Sequence, residues 1–379
     1  MSEPAKTAPA VEVRAAGLGL QAWRRFRANR PAVAGAAALA LMLGGCLVGL
    51  FYSLGVGEGG RARYEAQSPG RYVGKNPELA APEFPRGGFS AENPFGVNAR
   101  GEPVHLLGSD ALGRDYLARL LYGGVVSLSI GFAAAVAAAV IGTLYGAIAG
   151  YVGGAVDDFL MRAVEILYSL PYMLLVILTF FLLDGAFSSA AGAMSAGRVE
   201  AAQAAAAAEG RTFDPDHDVA PAGTVESALG NPGFRSILAM FVAVAAFNWM
   251  TEARVVRGQI LQLKSMPYVE AARALGAPAW RILLLHMLPN TLGPIIVVAG
   301  LMVPQAILLE SFLSFLGIGI QEPQVTWGLM AADSVKTINT VQNYWWLLVP
   351  PCAALAVTLL ALNFVGDGLR DAFDPQSKR

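Results

Sequence analysis

Tyr268-Val-Glu-Ala-Ala-Arg-Ala-Leu-Gly-Ala-Pro-Ala-Trp-Arg-Ile282 is a short polar insert between two long apolar runs. Tyr268, Ala271, Ala272 and Leu275 fall at i, i+3, i+4 and i+7, so they share one helical face, with Glu270 and Arg273 on other faces. Pro267 suits the first helical turn, where its missing N–H is not needed. Gly276 can take the left-handed position that ends a helix, and Pro278 permits a second start. The long apolar flanks make this insert a loop between membrane-spanning helices. A short capped helix there offers a knob to a soluble partner. The same residues also fit an interfacial helix lying on the bilayer.

The composition agrees with a membrane location. Of 379 residues, 55% are hydrophobic and 15% are charged, against about 25% charged in soluble domains. The formal net charge is -1, which carries no nucleic-acid footprint. Cys46 and Cys352 lie inside apolar runs, which argues against a disulfide framework. His217 stands among Asp214, Asp216 and Asp218, a weak cation site or a solvated acidic loop. Arg24, Arg25, Arg27 and Arg30 precede an uncharged run from Pro31 to Gly57. That run is too long for the hydrophobic region of a cleavable signal and long enough to span. Leu43-Gly44-Gly45-Cys46 faintly resembles a lipoprotein cleavage site, but the apolar run continues past it, so a retained helix is expected.

Uncharged stretches place six helices near 32–54, 121–150, 157–184, 235–263, 288–316 and 344–370. The expected class is an all-α polytopic membrane protein with six transmembrane helices. The expected organisation is a cytoplasmic N-terminal tail (1–31), the first span, an outer segment (55–120), a five-helix core (121–371) and a cytoplasmic tail (372–379). The core contains an outer insert (185–234) and a cytoplasmic loop (264–287). The positive-inside rule orients this set. The arginines before the first span put the N-terminus inside, and six spans return Arg370, Lys378 and Arg379 to the same side. The 264–287 loop also falls inside, flanked by Arg254, Arg257, Lys264, Arg273 and Arg281.

Glu270-Ala271-Ala272, Gly276 six residues after the glutamate, Ile282 and His286-Met287-Leu288-Pro289-Asn290 resemble the Glu-Ala-Ala loop of binding-protein-dependent ABC importer permeases. The His-x-Leu-Pro-Asn form is similar to the peptide-transporter branch. Gly108-Ser109-Asp110-Ala111-Leu112-Gly113-Arg114-Asp115 resembles the segment before the second span of the C-type subunit of oligopeptide and dipeptide permeases. Leu308-Leu309-Glu310-Ser311-Phe312-Leu313-Ser314 resembles its fifth span, and Asn363 to Pro375 its ending. The resemblance implies a type I ABC importer permease fold in a bacterial cytoplasmic (inner) membrane. It implies partners: a second permease subunit of the B type, two ATPase subunits and a periplasmic or extracellular substrate-binding protein. The loop carried by Tyr268, Glu270, Ala271, Ala272, Leu275, Gly276 and Arg281 would dock on an ATPase. Peptides are the cargo it implies. Related C-type subunits take nickel chelates, glutathione or peptide antibiotics, and that alternative stays open.

Within the spans, Gly142, Gly146 and Gly150 repeat every four residues, as do Gly45 and Gly49. Small residues on one face let helices approach closely in lipid, within the chain or against a second permease. Glu165 and Glu310 are ionisable groups at membrane depth, each disfavoured by roughly 2.5–3.5 kcal/mol at a helix centre. With Ser311, they line a translocation path or bond a neighbouring helix. Pro304 can kink the fifth span. Asp367, Arg370 and Asp371 are close enough on a helix to pair. Ser109 and Asp110 are good caps and Gly113 a good turn before the second span. The insert holds a strong helix former, Val199 to Glu209, stopped by Gly210, and an acidic, loop-like stretch from Phe213 to Asn231.

No Gly-x-x-x-x-Gly-Lys-(Ser/Thr) occurs, so no P-loop is expected to hold nucleotide. No cofactor is expected on the chain, while ATP and Mg would sit on partner subunits. No zinc spacing or Ser/His/Asp grouping appears. Two distant alternatives are a channel, which wants a filter or a charged ring, and a membrane-embedded hydrolase. The histidines at 105, 217 and 286 all fall outside the expected spans, which argues against the hydrolase.

Overall fold

The computed structural model describes residues 15–55, 62–63, 106–110, 114–322, 324–337 and 344–373. Gly113 and the basic ending at Lys378 and Arg379 lie outside them. Among the described residues the fold is all-α. In chain order the helices are α1 (Ala15–Ala28), α2 (Arg30–Leu54), α3 (Tyr116–Val152), α4 (Gly154–Ser169), α5 (Tyr172–Ala208), α6 (Pro215–Asp218) and α7 (Thr224–Gly230). There follow α8 (Pro232–Lys264), α9 (Pro267–Ala274), α10 (Ala279–Arg281), a π-helical turn (Ile282–Met287), α11 (Leu288–Phe315), α12 (Trp327–Lys336) and α13 (Trp345–Phe373). Among the described residues, six helices are long and apolar enough to cross a membrane: α2, α3, α5, α8, the continuous run Ala279–Phe315, and α13.

α3 is the central post. It lies along α8 and against α11 and α2, while α13 closes the set against α2 and α11, and α5 lies on α8. One apolar core joins α2, α3, α11, α12 and α13 through Leu128, Ile307, Trp327, Met330 and Trp346. A second joins α3, α5, α8 and α11 through Ile130, Phe180, Met240 and Leu313. A third lies under α9, and a fourth holds Ala22 and Phe26 of α1 against Ala32 and Ala372.

Four boundaries differ from expectation, each for a local reason. Much of the N-terminal tail is the helix α1. It stops at Asn29, whose side chain caps α2 by accepting from the Ala32 N–H at 3.2 Å and whose Nδ2 donates to Asp371 at 3.1 Å. Asp371 is therefore tied across to α2, and no ion pair joins Asp367, Arg370 and Asp371 among the described residues. The second span starts at Tyr116 rather than 121, because Asp115, not Ser109 or Asp110, accepts from the Ala118 N–H at 3.0 Å and caps it.

The third span is broken. Leu170 is extended (φ -88, ψ 147) before Pro171, as expected where a proline ring crowds the preceding residue out of the helical region. α4 and α5 meet there. α5 then runs on to Ala208, so the 185–234 insert begins inside a helix. The loop-like stretch after it contains α6 and α7, and α7 is clasped to α5 by Arg198 and Glu226 at 2.6 Å. Gly210 (φ 69) ends α5, as the sequence suggests.

The fifth span begins at Ala279, not 288. Pro289 lacks the N–H that would continue the ladder, and the chain widens into the π turn just before it. Asn290 Nδ2 donates to the His286 carbonyl at 2.6 Å, taking up an acceptor within that turn.

Two ion pairs mark depth along α8. Arg235 donates to Asp184 of α5 at 2.8 Å, and Arg257 forks onto Asp157 of α4 at 2.5 and 2.6 Å. Arg235 and Arg257 are about 33 Å apart at 1.5 Å per residue, close to a bilayer's ~30 Å apolar thickness. The α4–α5 break lies between them.

Candidate functional site

The 264–287 loop closes one end of the bundle. Met266 precedes α9, Pro267 opens it, and Leu275 caps it. Gly276 is left-handed (φ 78); its N–H donates to the Arg273 carbonyl and that of Ala277 to the Ala272 carbonyl. This pair of bonds is a Schellman stop, and φ near +78° is what requires glycine there.

α9 is anchored by a residue the sequence reading passed over. Val269 is fully buried, packed with Ile260, Val256, Ala147, Ile282 and Met287. The face at i, i+3, i+4 and i+7 points elsewhere: Ala272 is half-buried, while Tyr268 is 41% and Leu275 88% exposed. Trp280 and Leu284 are exposed beside it. Glu270, Arg273 and Arg281 are exposed and form no ion pair among the described residues. Asn290 Nδ2 lies 3.3 Å from the Tyr268 hydroxyl, so the Leu-Pro-Asn tail braces α9 against α11. The loop is a platform anchored through Val269, with an exposed apolar ridge and, among the described residues, unpaired charges.

That platform is tied to the spans. Gly142, Gly146 and Gly150 all lie against α8. An added Cβ at Gly142 would sit 2.5 Å from Glu252 Cβ, one at Gly146 would collide with the Ala253 carbonyl oxygen, and one at Gly150 would sit 2.9 Å from the Arg257 carbonyl oxygen. The contact is within the chain. Gly49 meets Leu121 of α3, whereas Gly45 has open space beside it.

The acidic residues separate by surroundings. Glu310 on α11 is fully buried, its carboxylate accepting from Ser127 at 3.1 Å, Ser311 at 3.3 Å and Ser314 at 2.9 Å. That enclosure is the helix-bonding arrangement the sequence left open beside a path role. Glu165 is exposed on α4, ahead of the break. A third carboxylate escaped the sequence reading: Glu252 on α8 is fully buried against Gly142, and neither oxygen has a hydrogen-bond partner among the described residues. The signal was a lone charge between Trp249 and Arg254.

At the opposite end, Asp110, Arg114, Arg119 and Glu322 form a clasp between the start of α3 and the α11–α12 connection. Arg114 meets Asp110 at 2.6 Å and Glu322 at 2.7 Å; Arg119 lies 3.4 and 3.5 Å from the same two carboxylates. They line a cavity of about 520 Å³ with Asp333, Lys336 and Tyr116. Burial opposes the Arg114 charge, but Asp110 and Glu322 outweigh it and hold the guanidinium above its ordinary value. Burial likewise favours the neutral Glu322, but the Arg114 bond wins and holds its carboxyl below the usual range. A smaller cavity, about 200 Å³, opens at the α4–α5 break, lined by Tyr168, Tyr172, Asn248, Thr251 and Gln305. His217 pairs with Asp214 at 3.1 Å in the insert, and no group of three metal-ligating side chains occurs among the described residues.

Residues 142–379 match the family described as binding-protein-dependent transport system inner membrane component, over more than half of the chain. The chain belongs to this family. Residues 17–56 of the permease match the N-terminal transmembrane domain of oligopeptide transport permease C. The permease is 41% identical over 279 residues to the oligopeptide transport system permease protein OppC of Escherichia coli (strain K12), covering 73% of this chain and 74% of that one. It is 42% identical over 276 residues to OppC of Salmonella typhimurium, covering 72% and 73%. Against the dipeptide transport system permease protein DppC of Bacillus subtilis (strain 168) the identity is 36% over 275 residues, covering 73% and 70%. The family's members are permease subunits rather than enzymes, and the six apolar helices make this a multi-pass inner membrane protein. The matched region takes in α9, the glycine seam, the buried Glu252 and Glu310, and the exposed Glu165.

Proposed function

We propose that this permease is the C-type subunit of an ATP-driven peptide importer. Its spans form the translocation path with a second, B-type permease, and α9 couples them to two ATPase subunits. A soluble binding protein delivers cargo on the outer side, and both termini and α9 lie on the cytoplasmic side. ATP and Mg belong to the ATPases. The relatives' names support peptide cargo.

The observation that carries the coupling assignment is the build of α9. One side is locked by Val269 into the core, and the other presents Tyr268, Leu275 and Trp280 to solvent. Exposed apolar ridges on a rigid support mark partner sites. A push on this ridge is transmitted, because only Ser265 and Met266 separate α9 from α8, and the Gly276 turn and α10 join it to the π turn and α11. ATP binding closes the ATPases and moves α9. α8 and α11 follow and turn the path outward to take cargo, and hydrolysis resets them.

Gly276→Pro tests this. Proline cannot reach φ near +78°, so the stop is lost. In the reconstituted importer, peptide uptake and binding-protein-stimulated ATPase activity fall together by about tenfold or more while the chain still inserts. Full retention of both activities sinks the coupling assignment.

A further inference from the structure

Exposed polar groups at membrane depth are informative, because hydrocarbon offers them no hydrogen-bond partner. One such set lies at the α4–α5 break. Tyr172 is 38% and Tyr168 42% exposed, and Thr251 and Gln305 are exposed as well. Asn248 Oδ1 accepts from the Tyr172 hydroxyl at 2.7 Å, while its Nδ2 has no partner among the described residues. The Gln305 amide makes no hydrogen bond among the described residues. Tyr168 Oη and Thr251 Oγ1 are 2.5 Å apart, and the Arg254 guanidinium lies 3.8 Å over the Tyr168 ring. Asn248 sits between the two ion pairs that bracket the apolar depth of α8.

No carboxylate lines this cavity, although Glu165 is exposed one turn before Tyr168 on α4. Gln305 and Glu310 are five positions apart on α11, about 140° around the helix at 3.6 residues per turn. Glu310 turns inward to its hydroxyls and Gln305 outward to the cavity. Glu252 faces Gly142. The polar part of the cavity wall is therefore neutral, two amides, two phenols and the Thr251 hydroxyl set among leucines, Phe247 and Met250, with one cation, Arg254, nearby.

On the reading given under Proposed function, we propose that this cavity is a station on the cargo's passage, where Tyr172, Asn248 and Gln305 take main-chain N–H and C=O groups of an extended peptide. Amides and phenols offer both donor and acceptor to any peptide bond, whatever side chains flank it. A wall of this kind moves peptides of varied sequence, where a carboxylate wall would select for cationic ones. The helix break lies beside the same cavity, and irregular backbone at membrane depth is tolerated only where it is buried or lines a polar space.

The test uses the complete importer in liposomes, carrying the double variant Asn248→Leu/Gln305→Leu. The readouts are uptake of radiolabelled trialanine, ATPase activity stimulated by loaded binding protein, and recovery of the second permease. Uptake is expected to drop about tenfold, with stimulated ATPase within about twofold of wild type and the second permease still recovered. Unchanged uptake overturns the proposal. So does loss of the second permease, which would make this face a subunit contact. A second variant guards against misfolding: Gln305→Cys in a Cys352→Ser background, labelled with a membrane-permeant maleimide. Protection by peptide-loaded binding protein with ATP supports the station, and labelling indifferent to peptide overturns it. If wild-type importer takes up no peptide at all, the cargo assignment itself fails, a result separate from any effect of these variants.

Discussion

Gly146 and Gly45 are both glycines in apolar helices with small-residue spacing, and only their surroundings tell them apart. An added Cβ at Gly146 strikes the backbone of Ala253, which cannot swing away, while Gly45 has nothing within 4 Å. Gly146→Ala is expected to destabilise by about 1–3 kcal/mol, the usual effect of overpacking. Gly45→Ala should be neutral or stabilising by up to about 1 kcal/mol, through helix propensity. Thermal unfolding of the two variants in mild detergent separates them, and equal behaviour would remove the α3–α8 seam from the account. Glu252 makes the second prediction at this scale. A buried carboxylate with no partner is destabilising by roughly 1–3 kcal/mol, so Glu252→Met, similar in length and apolar, should raise the unfolding temperature. A fall would show that Glu252 has a partner in the working protein. Residue-level roles were the least legible part of the sequence. Glycine spacing was visible, but not which glycines meet a neighbour. Nothing in the sequence marks Arg119 as buried, yet it is 2% exposed, with Asp110 and Glu322 at 3.4 and 3.5 Å to offset its charge.

Among the elements, α9 was legible and the third span was not. Pro267, Gly276 and Pro278 punctuate α9 within a dozen residues, so its limits follow from backbone chemistry. Its anchor was not readable in the same way. The face at i, i+3, i+4 and i+7 describes the helix alone, whereas Val269 is buried by what α9 rests on. The break at Pro171 was printed in the sequence, but hydropathy averages over it, and an unbroken span from 157 to 184 resulted. α12 is only ten residues long, too short to register as a span, though its Trp327 is fully buried in the main core. The clasp between Arg114 and Glu322 supplies the pH prediction. Glu322 has a folded value below its ordinary one. Its stabilising contribution is therefore complete above the ordinary glutamate range and is lost as pH falls through the folded value. Arg114 stays charged throughout. Between about pH 6 and about pH 3, the unfolding temperature of wild type should fall more steeply than that of Glu322→Gln. Parallel curves would mean the clasp adds nothing to the stability of that end.

For the whole molecule, six apolar runs and the count of basic residues between them were enough for the fold class, because a bilayer sets helix length so narrowly. How the spans meet was beyond them, since lipid-facing and helix-facing surfaces are equally apolar. The assembled chain concentrates its two unusual surfaces at different levels: the exposed ridge of α9 at one end, and the polar break of α4–α5 midway along α8. The central claim is that the α9 ridge is where ATPases dock, and Leu275 tests it cleanly. It is 88% exposed, so replacing it leaves the core untouched. The decisive measurement is recovery of partners with the tagged chain in mild detergent, for wild type and Leu275→Asp. The account predicts that wild type brings down one other permease and two P-loop ATPases, and that Leu275→Asp keeps the permease and loses the ATPases. Retention of the ATPases by Leu275→Asp, or their absence from wild type purified from membranes that contain them intact, would contradict it.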